Sequence, residues 1–339
     1  MQRHFGKFLL YAITVIFILL IAVITLTIGW RPFIGPKARP LTTRKFEVTP
    51  QRLERGKYLF ISLAGCSGCH SPHDWKARGA PIDEAKLGSG EVMPLDGLPG
   101  TIVAPNLTPD PETGSGDWTD DQIARAIREG IGHDGRTLFP MMPYDHFRKM
   151  SDEDLASIVV YIRSLPAVHN PLPKSAIIFP VKYLIRSVPE PVTAPVAGPD
   201  PNNPLAVGAY LVNMADCAFC HTATDSHGQP LPGHNFDGGQ VFSGPFGKVA
   251  SANITPDATG ISYYDEALFL QAMKTGYVKA RPLNQLMPYG EFKNATDSDL
   301  KAIFAYLHTL KPLKHYVDNS EPPTYCKICR QMHGGGDRN

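Results

Sequence analysis

The sequence predicts an all-α protein in which one small helical unit occurs twice behind an N-terminal apolar helix. Three observations support this fold class. A run of 23 uncharged residues extends from Phe8 to Trp30. A five-residue pattern, C-x-x-C-H, occurs at residues 66–70 and again at 217–221. The residues around the two copies of this pattern match each other in order, which is the signature of an internal repeat.

The apolar run is long enough to cross a hydrocarbon core of about 30 Å as a helix. It is apolar on all faces and lies at the terminus, which distinguishes it from a helix buried in a soluble core. A cleaved signal peptide is the alternative, but the run is long for one and has no small-residue cleavage site at its end. We therefore expect residues 1–30 to form an uncleaved membrane anchor, followed by a tether over residues 31–48.

Length and composition limit the possibilities further. A chain of 339 residues predicts about two domains. The formal net charge of +1 gives no reason to expect nucleic acid as a partner. The 32 prolines and 30 glycines predict long irregular loops between modest helices.

The C-x-x-C-H pattern is the attachment motif of c-type haem. Its two thiols form thioether bonds to the haem vinyl groups, and the histidine that follows binds the iron. The alternative is a pair of disulfide hairpins or thiol redox motifs that precede histidines by chance, and recurrence in a matching frame argues against it. We therefore expect two covalently bound haem c groups, attached through Cys66 and Cys69 and through Cys217 and Cys220, with His70 and His221 as proximal iron ligands.

Each repeat contains the same elements in the same order. It opens with an N-cap residue and a proline, continues through Gly-x-Tyr-Leu to the haem motif, and then reaches a loop that reads Asn-x-Thr-Pro-Asp. A helix follows, predicted over about Thr119 to Glu129 and about Tyr264 to Thr275. A Met-Pro-Tyr segment and an amphipathic helix with acidic residues in its first turn complete the copy. The predicted domains are residues 49–168 and 203–312, joined by a proline-rich connector, 169–202, which we expect to pack along the domains rather than lie on the membrane surface.

The Met-Pro-Tyr segments supply candidates for the second axial iron ligand. We assign Met142 and Met287, because Met141 competes locally but does not share the Pro-Tyr register. A methionine is often only a filler of core space, but repetition in one frame favours ligation here. His/Met ligation would fill both axial positions of each iron, raise its potential and favour an electron relay over a dihaem peroxidase.

Several further residues are harder to assign. Tyr144, Tyr289 and the two Asn-x-Thr-Pro loops could line the haem pockets or serve as structural turns. The other histidines do not repeat in register, and we interpret them as loop or surface residues: His73, His133, His146, His227 and His234.

The tail, residues 313–339, contains a third C-x-x-C at Cys326 and Cys329 without a following histidine. A local disulfide is the leading interpretation, since haem attachment and paired cysteines both fit an oxidising compartment. A metal site that also uses His333 is the second. Atypical haem attachment and a contact with a partner protein remain open as well.

These motifs resemble the class I cytochrome c domains in the cytochrome subunits of membrane-bound bacterial alcohol, gluconate and sugar dehydrogenases. The resemblance covers about residues 49–312 and is carried by the haem motifs, the Asn106–Asp110 loop, Trp118 to Asp120, Asp134-Gly135, Met-Pro-Tyr and the Ser151–Leu155 helix start. The second repeat lacks the tryptophan and the Asp-Gly pair. Those subunits commonly carry three haem domains, whereas only 27 residues follow Pro312, which argues against the three-haem type and against direct quinone reduction.

The resemblance implies a protein that transfers single electrons and has no catalytic site of its own. Its expected partners are a dehydrogenase catalytic subunit and a downstream oxidase or quinone-linked complex. We expect a single-pass protein of the inner membrane with a cytoplasmic N-terminus and periplasmic haem domains, because c-type haem is attached outside the cytoplasmic membrane. The alternatives are a subunit or donor of a respiratory complex, of the cytochrome bc or terminal oxidase type, and an enzyme such as a dihaem peroxidase or a thiosulfate-type oxidoreductase.

Overall fold

A computed structural model describes residues 2–225 and 229–339. Met1, in the predicted anchor, and His227, one of the unassigned histidines, lie outside the described residues.

The helices fall where the repeat predicts them. Each long helix of a repeat begins at an N-cap whose side chain accepts a backbone hydrogen bond: Thr49, Thr119, Ser151, Asn203, Asp265 and Thr296. The helices are α1 (Gln2–Leu26), α2 (Arg31–Ile34), α3 (Pro50–Ile61), α4 (Ser67–His70), α5 (Asp120–Glu129), α6 (Tyr144–Phe147), α7 (Asp152–Ser164), α8 (Val181–Leu184), α9 (Pro204–Met214), α10 (Cys217–His221), α11 (Glu266–Thr275), α12 (Tyr289–Phe292) and α13 (Asp297–Leu307).

The strands are short and lie in antiparallel pairs at the periphery. They contribute loops and edges, while the helices form the core. The pairs are β1 (Glu91–Val92) with β3 (Val103–Ala104), β2 (Gly100–Thr101) with β4 (Ala176–Ile177), β5 (Val241–Gly244) with β6 (Gly247–Ala250), β7 (Tyr277–Val278) with β8 (Arg281–Pro282), and β9 (Pro323–Tyr325) with β10 (Met332–Gly334).

The first and last helices of each repeat cross at the glycine of Gly-x-Tyr-Leu. A Cβ atom on Gly56 would lie 2.0 Å from the carbonyl oxygen of Ser157 in α7, and one on Gly208 would lie 2.0 Å from that of Ala302 in α13. Only glycine permits so close a backbone approach. The glycine of the motif is therefore a helix-packing residue in both repeats.

The tyrosine of the same motif joins the two repeats to each other. Tyr58 of α3 donates a hydrogen bond of 2.5 Å to Asp299 at the start of α13, and Tyr210 of α9 donates one of 2.7 Å to Asp154 at the start of α7. The backbone N–H groups of Thr296 and Ser151 donate in turn to the same two hydroxyl groups. This exchange is reciprocal, as a pseudo-twofold axis requires. An internal repeat can be related by an approximate twofold axis or by a translation. The reciprocal contacts favour the twofold axis.

One buried apolar cluster includes side chains from both repeats. It contains residues of α3, α5 and α7 together with residues of α9, α11 and α13. The two helical units thus share a continuous core, which adds non-directional stabilisation to the polar contacts at their interface.

The tether does not hang free. Arg39 is only 10% exposed and forms a bidentate pair with Asp121 of α5, at 2.7 Å, and a third bond with Glu129. The backbone N–H groups of Thr42 and Phe46 donate to Asp121 and Asp120. Residues 39–46 are therefore fixed along α5, from its first turn to Glu129 at its end.

The connector packs on the first repeat, as expected, and also contacts the short helix α2 of the tether. Strand β4 pairs with β2, and Arg186 donates a hydrogen bond to the carbonyl of Pro32 in α2. Within the described residues, α1 is the helix long and apolar enough to cross a membrane, over His4–Leu26. An 18-residue window of this span has a mean hydropathy of 3.0 and contains no buried residue.

The reciprocal tyrosines give a direct test of the interface between the repeats. Tyr58→Phe and Tyr210→Phe should each lower the free energy of unfolding by about 1.5 kcal/mol, because each removes a hydrogen bond to a charged group. The two tyrosines share no hydrogen-bond partner, but Arg55 lies over the Tyr58 ring and pairs with Asp154, the acceptor of Tyr210. The double variant therefore measures the coupling between the two contacts. Urea unfolding of the haem-loaded protein in detergent measures both.

Tyr161→Phe is the matched control for these substitutions. The Tyr161 ring packs edge-on against Phe60 within the first repeat, and its hydroxyl makes no hydrogen bond to any described residue. Its removal should leave the unfolding midpoint unchanged. Equal effects of all three substitutions would contradict the reciprocal interface.

Candidate haem sites

The two C-x-x-C-H motifs form short helices, α4 and α10, that follow α3 and α9 closely. In both, the histidine of the motif, the predicted proximal ligand, is oriented by a backbone carbonyl. His70 Nδ1 lies 2.8 Å from the carbonyl oxygen of Pro105, and His221 Nδ1 lies 2.7 Å from that of Ala252. This bond fixes the ring and leaves Nε2 as the ring atom that can bind iron.

A second pair of backbone hydrogen bonds holds each motif at the carbonyl group of its histidine. The N–H group of Gly90 donates to the carbonyl of His70 at 2.8 Å, and that of Gly238 donates to the carbonyl of His221 at the same distance. Both glycines have positive φ, of 86° and 75°, which other residues adopt with strain. The loop after each motif therefore turns back to support its histidine.

The Met-Pro-Tyr segments have the same backbone geometry in both repeats. Pro143 and Pro288 have φ and ψ near −81°, 50° and −80°, 53°. The tyrosine that follows packs on the glycine at the end of the preceding helix, because a Cβ on Gly130 or Gly276 would approach the ring to within 2.6 or 2.7 Å. Tyr144 and Tyr289 are thus core residues that fix the position of the methionine loop.

The Asn-x-Thr-Pro loops also have a structural role. Asn106 accepts bonds from the backbone and hydroxyl of Thr108 and donates to the carbonyl of Val168, while Asn253 makes the same bonds with Thr255 and Leu313. Each loop therefore ties the chain after the last helix to the wall of the haem site. Of the two roles considered for this motif, these bonds support the turn.

A cavity of about 370 Å³ lies between the first motif and the second repeat. Its wall is mainly apolar and brings together the attachment cysteines, the proximal histidine and the assigned methionine of the first repeat. Met141 reaches the same wall, so the cavity alone does not choose between it and Met142. Residues that line it include Cys66, Cys69, His70, Met141, Met142, Ile123, Phe147, Phe219, Cys220 and Pro288.

The donor set and the cavity fit a covalently attached haem. Burial raises the pKa of Cys66 to about 12 and that of Cys69 to about 11, as expected for thiols in an apolar pocket. Cys217 and Cys220 show the same effect. The second motif is less enclosed, because no residue of α10 is buried, whereas Ser67 and His70 of α4 are.

The two motifs are neighbours, and two charged pairs cross between the repeats beside them. His73, three residues after His70, lies 2.8 Å from Glu91 and 3.8 Å from Glu291 of the second repeat. Burial lowers the pKa of His73, but the two carboxylates outweigh burial and raise it to about 9. His146 of the first repeat lies 2.5 Å from Asp216, directly before the second motif, and this carboxylate raises the pKa of His146.

The sequence did not single out these crossing pairs. His73 lies in a loop, as expected, but its side chain is buried and stacks on Trp75. A signal existed: both Glu291 and His146 stand two residues after the tyrosine of Met-Pro-Tyr. Among the other histidines, His133 packs on Trp118, and His234 contacts Asp237 at 2.6 Å.

Comparison with known proteins identifies the class. Residues 53–166, nearly the whole first repeat, match the family described as cytochrome c. The chain therefore contains a cytochrome c domain, a class that binds haem c covalently. The similarity to cytochrome c subunits of bacterial dehydrogenases, inferred from the motifs, is confirmed.

Three relatives define the similarity more closely. One of the subunits of nicotinate dehydrogenase from Pseudomonas putida is 28% identical over 83% of this chain and 23% of its own. The fructose dehydrogenase cytochrome subunit of Gluconobacter japonicus is 29% identical over 81% of this chain and 56% of its own. The diheme cytochrome c-type of Cereibacter sphaeroides is 26% identical over 75% of this chain and 84% of its own. The chain thus spans about a quarter of the first relative and just over half of the second.

Proposed function

We propose that this protein is a membrane-anchored dihaem cytochrome c that serves as the electron-transfer subunit of a periplasmic dehydrogenase. Each repeat, 49–168 and 203–312, is one class I cytochrome c domain in this proposal. The observation that carries it is the duplication of the whole haem-binding frame in space. Both copies have the cysteine pair, a carbonyl-oriented histidine and a Met-Pro-Tyr loop of the same conformation.

The haem c groups supply a one-electron iron couple when they are bound. The chain attaches them through Cys66, Cys69, Cys217 and Cys220. His70 and His221 would each supply one iron ligand, and the methionine loops would supply the other through Met142 and Met287. With two protein side chains held on each iron, the groups would relay electrons rather than bind a substrate, and we propose no catalytic site in this chain.

The arrangement of the two sites suits electron exchange within one molecule. Phe219 and Cys220 of the second motif line the same cavity as the first motif. The reciprocal tyrosines and the shared core hold this spacing fixed, which limits reorganisation around the two sites. A chain built this way can accept an electron at one repeat and release it from the other.

The surface next to α1 supports membrane attachment. Beyond the apolar helix, the short helix α2 and the connector expose large apolar side chains on one part of the molecule, and Lys182 and Arg186 lie among them. Apolar side chains mixed with cations are typical of a segment at a membrane surface. The exposed side chains are Phe33, Ile34, Ile178, Phe179 and Leu184. In this proposal the connector packs on the first repeat and also turns its exposed apolar side chains to the bilayer, so it touches the membrane surface, contrary to the expectation from the sequence. The haem domains lie on the periplasmic side.

The dehydrogenase setting is favoured over a respiratory complex because relatives bear the names of dehydrogenase subunits. Purification from native membranes in mild detergent tests it. A flavoprotein, quinoprotein or molybdenum protein should co-elute in fixed ratio and be identified by mass spectrometry. Co-elution with subunits of a cytochrome bc complex or a terminal oxidase would contradict the dehydrogenase setting and leave the electron-transfer function standing.

Substitution of the methionines tests the axial ligands. Met142→Ala and Met287→Ala should each remove one Met–iron charge-transfer feature and lower the potential of one haem, since axial ligands set haem potentials over a range of roughly 0.8 V. A redox titration followed by absorbance measures both effects. Met141→Ala is the matched control and should leave both potentials in place. Loss of the feature in the Met141 variant would transfer the assignment to that residue.

A further inference from the structure

The tail folds back onto the second repeat and brings four potential metal ligands together. Strands β9 and β10 form a hairpin, and Cys326 and Cys329 lie at its turn. His333 comes from β10, and His315 comes from the chain that follows the second repeat. One nitrogen or sulfur atom of each of the four residues lies within 4.8 Å of the others, and all four are buried.

Each histidine in this cluster has one buried ring nitrogen that makes no hydrogen bond to any described residue, Nδ1 in His315 and Nε2 in His333. A buried polar atom of this kind is costly unless a ligand, an ion or a charged neighbour satisfies it. His333 Nδ1 already lies 3.1 Å from the carbonyl oxygen of Gly334, which leaves its Nε2 for another ligand. His315 Nε2 lies 3.3 Å from the sulfur of Cys326.

A buried carboxylate stands behind one of these histidines. Asp237 is fully buried, and its carboxylate lies 3.6 Å from Nδ1 of His315, on the ring side away from Cys326. Metal-bound histidines commonly direct their second nitrogen at such a carboxylate. Asn339 also donates from its side chain to the sulfur of Cys326 at 3.5 Å, a contact that suits a thiolate.

We propose that His315, Cys326, Cys329 and His333 bind one structural zinc ion. Two thiolates and two imidazoles are a common zinc donor set, and binding would release the two thiol protons to solvent. Zinc–ligand distances of about 2.0–2.3 Å require ligand separations of about 3.3–3.8 Å in a tetrahedron, so the cluster closes by about 1 Å around the ion. All four positions are taken by protein, which leaves none for catalysis.

The first repeat has a direct hydrogen bond at the position where the second repeat has the cluster. His315 occupies the place of Asn170, because the backbone N–H of each donates at 3.0 Å to the threonine that follows its Asn-x-Thr-Pro-Asp loop, Thr113 for Asn170 and Thr259 for His315. The Asn170 side chain donates directly to the carbonyl of Ser89, beside Gly90. In the second repeat the corresponding neighbour of Gly238 is Asp237. In the first repeat, one hydrogen bond joins Asn170 to the haem loop. In the second repeat, the His315 ring lies beside the Asp237 carboxylate instead, at 3.6 Å.

The position of the cluster gives the ion a role. A Cβ on Gly239 would lie 2.3 Å from the His315 ring and 3.3 Å from the Cβ of Cys329, so the haem loop packs directly on the cluster. The adjacent Gly238 supports the carbonyl of His221. The zinc would therefore hold the tail against the loop that positions the second proximal histidine.

Metal analysis of the full-length protein tests the proposal. The protein is purified from membranes without a histidine tag, and zinc and iron are measured by mass spectrometry. We expect one zinc for every two irons. X-ray absorption spectroscopy at the zinc edge should show two sulfur ligands at about 2.3 Å and two nitrogen ligands at about 2.0 Å. This readout needs no variant and no electron-transfer activity.

Variants then locate the ion. Cys326→Ser combined with Cys329→Ser should remove the zinc while both haems remain attached. Met332→Ala, at an exposed position of the same hairpin, is the control and should keep the zinc. A wild-type protein without zinc, and with a mass lower by two hydrogens, would show a Cys326–Cys329 disulfide and overturn the proposal. Zinc retained in the double variant would also overturn it.

Discussion

The reciprocal contact between the repeats is the constraint on which the rest of the molecule depends. Tyr58 and Tyr210 each reach across to the first turn of the partner repeat's last helix. Those turns are already capped by Thr296 and Ser151, so the tyrosines bind groups that are held in place. The contact sets the orientation of α3 and α9, and these helices lead directly into the two haem motifs. The contact between the repeats therefore also determines the positions of the two haem motifs.

Much of the fold could be predicted from the sequence, because a motif that occurs twice in the same order is stronger evidence than one copy. A single Met-Pro-Tyr or Asn-x-Thr-Pro has many explanations, but two copies in one order predict a common backbone. The helix starts were predicted well because Ser, Thr and Asn before an acidic or proline-led turn have a direct capping mechanism. The structure starts the second helix at Asp120 and Glu266, one and two residues later than the pattern suggested.

What could not be predicted lies in contacts between segments distant in sequence. The residues around Gly-x-Tyr-Leu do not predict that its glycine packs against a backbone carbonyl of the last helix. They also do not predict that its tyrosine hydrogen-bonds to the other repeat. Arg39, in what looked like a plain tether, is fixed by Asp121, and this pairing depends on how the chain folds back. The tail shows the same limit: His333 was within reach of a sequence argument, but His315 and Asp237 join the cysteines only through the tertiary fold.

The central claim is that each repeat holds one covalently attached haem. Intact-protein mass spectrometry of the chain purified from membranes tests it most directly, because thioether-bound haem survives denaturation. We expect the mass of the chain plus two haem groups, with peptides showing one at residues 66–70 and one at 217–221. A chain with a single haem on the first repeat would contradict it and would reduce the second repeat to a structural copy.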